Sequence, residues 1–387
     1  MKKIYIHSGL VFNTEYEVFE KKNLLIVDGK IAAIDITGEV PSGCDEVIDA
    51  SGKKIAPAYI DIHTHGALKL SFNRHTKEEY LYLLTHYKNT GTVSVFPTIS
   101  TDTFDAMLES TKILCEIARE DDTINIDCIH YEGPFLSHAK KGAHKESLLQ
   151  LPNIDFVKDA LKICGDDIKI RITVAPEIDG ALDFIKECTK LGVMTAIGHT
   201  NTDFETAQTA IKLGANSFIH TYNAMSPLGH RDPGVVGAAL YCEDGWPELI
   251  CDGFHVDRIA ASILYHARPD NLVLVSDSIQ AAGLPDIEGY TFGSAGMEVT
   301  ITNGQARLRD GTIAGSRLDM HKGVLNLCEF AHIPFERAIV CATKHPAVLC
   351  GIYDRTGSIE VGKRADFNIL SADFNIEATY AKGNAVK

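Results

Sequence analysis

From about residue 55 to about 345 the chain repeats short apolar runs, each roughly one strand long. The first four are Tyr59-Ile60-Asp61-Ile62, Thr92-Val93-Ser94-Val95-Phe96, Ile126-Asp127-Cys128-Ile129 and Ile170-Arg171-Ile172-Thr173-Val174. Then come Val193-Met194-Thr195-Ala196-Ile197, Ser217-Phe218-Ile219, Glu248-Leu249-Ile250-Cys251 and Leu272-Val273-Leu274-Val275-Ser276. Helical patterns separate most of them. Thr76-Lys77-Glu78-Glu79 reads as a capping box, and Tyr80, Leu83, Leu84 and Tyr87 follow at i, i+3, i+4 and i+7. Gly91 stands where that helix should stop. Thr202-Asp203-Phe204-Glu205 reads as a second capping box, with Gly214 as its stop. Repeated strand–helix alternation predicts an α/β fold, a parallel (β/α)8 barrel.

The two ends of the chain break this alternation. Leu24-Leu25-Ile26-Val27, the turn Asp28-Gly29-Lys30 and Ile31-Ala32-Ala33-Ile34 form a hairpin signal. Gly357-Ser358-Ile359-Glu360-Val361-Gly362 and Ala365-Asp366-Phe367-Asn368-Ile369-Leu370 also read as β-like. Neither end can bury a core alone, so the two are expected to pair in one small β-sandwich domain. The expected division is residues 1–54 plus 356–387 for that domain and 55–355 for the barrel.

Composition adjusts this picture only slightly. The 45% hydrophobic and 23% charged fractions of the 387 residues are those of a globular protein, not a disordered one. The net charge of −15 argues against a nucleic-acid or anionic-membrane surface, but not against one small anion in a local basic pocket. The start Met1-Lys2-Lys3-Ile4 resembles a leader, but Asn13, Glu15 and Glu17 interrupt any apolar segment. No run approaches membrane-spanning length. The ten cysteines form no C-x-x-C pair and read as reduced, buried thiols of a cytoplasmic protein.

Catalytic groups of such barrels sit at the C-terminal ends of the strands. The first run ends in His63-Thr64-His65, where i and i+2 share a face. The third ends in His130-Tyr131-Glu132, the fifth in Gly198-His199-Thr200, the sixth in His220-Thr221-Tyr222-Asn223 and the eighth in Ser276-Asp277-Ser278. Any one of these has an ordinary reading as a core histidine or a turn. Together, imidazoles and carboxylates at five strand ends are the ligand types of zinc or a similar divalent ion.

These segments carry a resemblance to a known family. They are Ala56-Pro57-Ala58-Tyr59-Ile60-Asp61-Ile62-His63-Thr64-His65-Gly66, Glu132-Gly133-Pro134-Phe135-Leu136, Lys141-Gly142-Ala143-His144 and Gly198-His199-Thr200. The specific ones are Tyr222-Asn223-Ala224-Met225-Ser226-Pro227-Leu228 and Arg231-Asp232-Pro233-Gly234. Asp252-Gly253-Phe254-His255-Val256 and Ala314-Gly315-Ser316 extend the match. Over nearly its whole length the chain resembles the amidohydrolase superfamily, in its branch of amino-sugar-phosphate deacetylases.

The resemblance implies a metallo-dependent hydrolase barrel. Its implied activity is hydrolysis of the N-acetyl group of N-acetylglucosamine 6-phosphate in amino-sugar catabolism, giving glucosamine 6-phosphate and acetate. The galactosamine epimer and another N-acyl substrate stay open, and a non-catalytic scaffold is the remote alternative. By resemblance Glu132, His199 and His220 hold the main ion, and His63 and His65 a second, with one or two ions of zinc, iron or manganese per subunit. Asp277 matches the acid/base. Ala143, His144, Asn223, Ala224, His255 and the Ile313-Ala314-Gly315 loop match substrate contacts. Arg231 matches a phosphate ligand reaching in from the other subunit of a homodimer. Lys145-Glu146 departs from the common pattern beside the substrate, as do Tyr222 and His345 elsewhere, and none of these removes a ligand.

Overall fold

The computed structural model describes residues 2–35, 40–121, 123–285, 289, 291–294 and 297–386. Eight parallel strands form the predicted barrel. In chain order they are Tyr59–Thr64, Thr92–Ser100, Cys128–Glu132, Lys169–Val174, Met194–Ile197, Ala215–Phe218, Trp246–Ile250 and Val273–Val275. Each pairs with its neighbours in sequence order. Backbone bonds close the barrel between the first and eighth: Asp277 N to His63 O at 2.8 Å, and His65 N and Gly66 N to Ser278 O at 2.8 and 3.0 Å.

Helices Lys77–Asn89, Phe104–Glu120, Ile154–Cys164, Ala181–Lys190, Phe204–Lys212, Gly234–Tyr241, Arg258–Ala267 and Met320–Ala331 follow the strands in turn. The first has the predicted capping box, Thr76 to Glu79, and buries Tyr80, Leu83, Leu84 and Tyr87. Removing that cap costs about 1 kcal/mol in typical cases. The second predicted box is displaced. The cap of helix Phe204–Lys212 is Asp203, whose carboxylate accepts from Thr206 N, while the Thr202 amide donates to Thr200 Oγ1 and starts no helix. On the fourth strand Ile170, Ile172 and Val174 point out into the helical layer, which turns Arg171 and Thr173 inward.

The two chain ends meet in one mixed eight-stranded sheet. Strand Lys3–Asn13 lies at its centre. It pairs antiparallel with Val18–Val27 and parallel with Glu46–Asp49 and Lys54–Pro57. Lys54–Pro57 then pairs with Phe367–Leu370 from the other end. Ile4, Ile6, Leu24, Ile26, Phe367 and Tyr380 share its core. The Asp28-Gly29 turn has positive φ at both residues, 47° and 74°, the geometry that a two-residue hairpin demands. Residues 357–362, expected as β, form turns instead. Gly357 and Gly362 sit at φ 91° and 92°, and Gly362 N caps Ile31 O.

A further antiparallel sheet, not anticipated from the sequence, follows the eighth barrel strand. It comprises Thr291–Ser294, Met297–Thr302, Gln305–Leu308 and Ile313–Gly315. Ile313-Ala314-Gly315, expected as a loop, is therefore a short edge strand, tied to the barrel by Ser316 N to Asp277 O at 3.0 Å. None of the described cysteines forms a disulfide; Cys44 and Cys328 are half-buried and the rest buried. No described helix is long and apolar enough to cross a membrane.

A buried ion pair fastens the terminal sheet to the barrel. Asp127, just before the third strand, takes a bidentate grip from Arg364 at 2.7 and 2.8 Å and a third contact from Arg355 at 3.2 Å. Burial pushes the Asp127 carboxyl up, but Arg364 and Arg355 outweigh it and hold it below the usual value. The folded pKa therefore lies below the unfolded one, and protonation favours the unfolded chain. The stabilisation is complete above about pH 4 and is lost as the pH falls through the folded value. Asp127→Ala should lower unfolding free energy by about 3 kcal/mol at pH 7, and urea titrations of both proteins should converge in acid.

Candidate metal centre

The barrel's C-terminal mouth gathers the predicted ligands. His63 and His65 extend from the first strand on one face, and Glu132 ends the third. His199, His220 and Asp277 each follow their strands by two residues, all with positive φ: 47°, 30° and 47°. Tyr222 and Ala224 share this at 82° and 51°. Left-handed backbone at five such residues costs energy, and it persists only where surrounding structure enforces it.

Glu132 lies at the centre. One carboxylate oxygen is 3.0 Å from His220 Nε2, 3.2 Å from His199 Nε2 and 3.4 Å from His63 Nε2. The other is 2.9 Å from His65 Nε2 and 3.2 Å from His144 Nε2. Asp277 Oδ1 is 3.3 Å from His65 Nε2 and 3.6 Å from His63 Nε2. Two groups result that could each hold a divalent metal, His63–His65–Asp277 and Glu132–His199–His220. All six side chains are almost fully buried.

The donors fit such an ion. Every imidazole turns Nε2 inward. On the outer side His65 Nδ1 meets Thr98 O and Ser100 Oγ at 3.1 and 2.9 Å, and His199 Nδ1 meets Lys140 O at 2.7 Å. Those acceptors hold the proton on Nδ1 and leave the Nε2 lone pair facing in. His63 Nε2 is buried without a hydrogen-bond partner among the described residues, a cost that a ligated cation would remove. Burial raises the Asp277 carboxyl, but the His65 hydrogen bond and the charges of His63 and His65 outweigh it and bring it to about 2. Burial lowers His144 despite its contact with Glu132, so its imidazole is neutral near pH 7.

The loop after the third strand covers the centre and brings in His144. Its Gly142 has φ 56°, and a Cβ there would stand 2.9 Å from His199 Cε1, so only glycine lets the loop come this close. Ala143, His144, Asn223, Ala224, His255 and Ile313–Gly315 line one cavity of about 1010 Å³ together with His65, Glu132, His199, His220 and Asp277. Burial works against the charged form of His255, but its 2.7 Å contact with Asp252 raises its pKa. Arg231 is exposed and is not among the residues described around that cavity.

Three supporting residues carry no signal of their own at a strand end: Asp61, Arg171 and Glu248. Asp61 accepts from Ser276 Oγ at 2.5 Å and so braces the backbone that carries Asp277, while burial pushes its carboxyl up to about 6. Glu248 lies 3.2 Å behind His63 Nδ1 and is paired with Arg171. For Arg171 and Glu248 the signal was a charged residue inside an apolar run whose neighbours face outward, whereas Ile60 and Ile62, the neighbours of Asp61, cluster with Phe96, Cys128 and Ile250.

The amidohydrolase family model matches residues 55–386. The chain belongs to the amidohydrolase family. This amidohydrolase is 32% identical over 376 residues to the N-acetylglucosamine-6-phosphate deacetylase of Bacillus subtilis, covering 96% of this chain and 94% of that one. It is 31% identical over 373 residues to the N-acetylgalactosamine-6-phosphate deacetylase of Escherichia coli O157:H7, covering 96% of each. The crystal structure of the N-acetylglucosamine-6-phosphate deacetylase from Pasteurella multocida superposes with a TM-score of 0.91, at 29% identity and 99% coverage of both chains.

Saturating Zn²⁺ should stabilise this amidohydrolase after chelator treatment. At a hundred times the dissociation constant the gain is about 2.7 kcal/mol, read by calorimetry. Glu132→Ala, which removes the carboxylate of the Glu132–His199–His220 group and the neighbour of His63 and His65, should abolish most of that gain.

Proposed function

We propose that this amidohydrolase hydrolyses the acetamide of N-acetylglucosamine 6-phosphate to acetate and glucosamine 6-phosphate. The observation that carries the reading is the single cavity in which Glu132, four imidazoles and Asp277 adjoin Asn223, Ala224 and His255. The named activities of its relatives supply the substrate class.

His63 and His65 would hold one ion, and Glu132, His199 and His220 the other. A bound divalent ion lowers the pKa of its water towards about 7 and polarises a carbonyl. Asp277, ionised at neutral pH, accepts the proton of the attacking water as the water oxygen bonds to the acetyl carbon. His144 donates a hydrogen bond to the carbonyl oxygen as it becomes an oxyanion. Asp277 then gives its proton to the amine as the C–N bond breaks, and acetate leaves. The Asn223 side-chain amide, the Ala224 backbone and the His255 imidazole receive the phosphate, and Ile313–Gly315 and Ala143 pack along the sugar.

Arg231 would complete the phosphate site from the second subunit of a homodimer, because guanidinium binds phosphate in a bidentate fork. Exposed Leu228, Phe254, Ile259 and Ile263 on nearby segments supply apolar surface for such an interface. On this reading residues 55–355 are the catalytic unit, residues 1–54 with 356–387 the accessory one, and the protein works in the cytoplasm, where its free thiols stay reduced. The likeness to the E. coli N-acetylgalactosamine-6-phosphate deacetylase supports the galactosamine epimer as the alternative substrate.

Acetate release from N-acetylglucosamine 6-phosphate should exceed that from unphosphorylated N-acetylglucosamine by orders of magnitude; equal rates would refute phosphate recognition. Parallel kcat/KM values for the two epimeric phosphates decide between them. Asp277→Asn should keep the fold and lower kcat by about 10²–10⁴-fold. Mixing Arg231→Ala with Asp277→Asn protein should restore part of the activity, and no recovery after proven subunit exchange would exclude a shared site.

A further inference from the structure

Beneath the metal centre the barrel interior holds a fully buried ion pair. Arg171, from the fourth strand, and Glu248, from the seventh, are both 0% exposed. Arg171 Nη2 binds Glu248 Oε1 and, at 2.8 Å, Ser217 Oγ of the sixth strand. Its Nη1 reaches Ile62 O of the first strand at 3.4 Å. The guanidinium is thus clamped to three other strands, and it fixes the Glu248 carboxylate in turn. The remaining oxygen, Oε2, lies 3.2 Å from His63 Nδ1.

His63 differs from the other three imidazoles in what stands behind it. His65 and His199 have neutral oxygens at Nδ1, and His220 Nδ1 has no partner among the described residues. Only His63 of the four has a carboxylate there. Its ring also packs edge-on against His130 at 4.8 Å between centroids, and both nitrogens of His130 are engaged by Thr98 and Thr173 hydroxyls. A neutral imidazole offers one lone pair, and the partner of its N–H decides which nitrogen keeps it. Glu248 accepts from Nδ1–H and leaves Nε2, buried and without a hydrogen-bond partner among the described residues, facing the centre 3.4 Å from Glu132 and 3.6 Å from Asp277.

We propose that Glu248, anchored by Arg171, is a positioning residue that fixes the tautomer and tilt of His63 and thereby sets the affinity of the His63–His65–Asp277 cation position, leaving the Glu132–His199–His220 position largely unaffected. This rests on the reading of both groups as cation positions. A carboxylate behind a ligating imidazole typically changes metal affinity by about 10–100-fold.

Removing Glu248 alone would strand a buried guanidinium, so the test uses neutral pairs. Arg171→Met/Glu248→Gln keeps an acceptor oxygen towards His63, and Arg171→Met/Glu248→Leu does not. Chelator-treated wild type and both variants are titrated with Zn²⁺ by calorimetry, with elemental analysis of bound zinc. Wild type and the Gln variant should take up two ions per chain. The Leu variant should keep the tighter ion, which also reports an intact fold, and bind the second about 10–100-fold more weakly. Equal second-ion affinity in the two variants, whether retained or lost, overturns the role of Glu248. A wild type saturating at one ion refutes the second position and this role with it; one binding none refutes the cation reading itself. If the variants do not fold, proton NMR of zinc-loaded wild type decides: a His63 Nδ1–H resonance shifted far downfield and protected from exchange supports the proposal, and its absence overturns it.

Discussion

One carboxylate among five imidazoles organises this molecule. Glu132 is buried, and its two oxygens lie within hydrogen-bond or ion-pair distance of His63, His65, His144, His199 and His220. An isolated carboxylate there would be costly to desolvate. Its neighbours arrive from the first, fifth and sixth strands and from the loop after the third, so a correctly registered barrel is the condition for its stability. The positive φ values at His199, His220 and Asp277 show the same demand from the backbone's side.

The interior below the centre departs from the usual branched apolar layers of such barrels. Beside the apolar cluster of Ile60, Ile62, Phe96, Ile250 and Val275, Arg171, Glu248, His130, Thr173 and Ser217 form a hydrogen-bonded polar network, in which Arg171 Nε has no partner among the described residues. Such a network seldom adds stability over a well-packed apolar core. What it supplies is direction, because each member has one partner geometry. The site above therefore stands on a floor that resists rotation of the ring it supports.

Much of this was legible in the sequence. Apolar runs alternating with capped helices defined the barrel, and His63, His65, Glu132, His199, His220 and Asp277 were visible because each ends a run. The hairpin at Asp28-Gly29 announced itself by turn chemistry. Arg171 and Glu248 stayed hidden because an alternating pattern looks half-exposed until the barrel's lumen is known to face them. The sheet at 291–315 was missed because its strands are short and border no helical pattern. The cap of helix Phe204–Lys212 was misplaced by one residue because Thr202 and Asp203 are both good caps, and only the Thr200 hydroxyl separates them.

The sheet built from both chain ends has a consequence for biosynthesis. Strand Lys54–Pro57 emerges early, yet its partner Phe367–Leu370 lies roughly 300 residues downstream, a separation that makes pairing slow. During translation one edge of Lys54–Pro57 must therefore wait, open, while the whole barrel is made. Asp127 waits as well, since Arg355 and Arg364 arrive with the last segment. The final strands thus act as a closing stitch: a ribosome that stalls before them leaves a barrel with an unpaired β-edge and an uncompensated buried charge, two features that mark a nascent chain for chaperones or proteases.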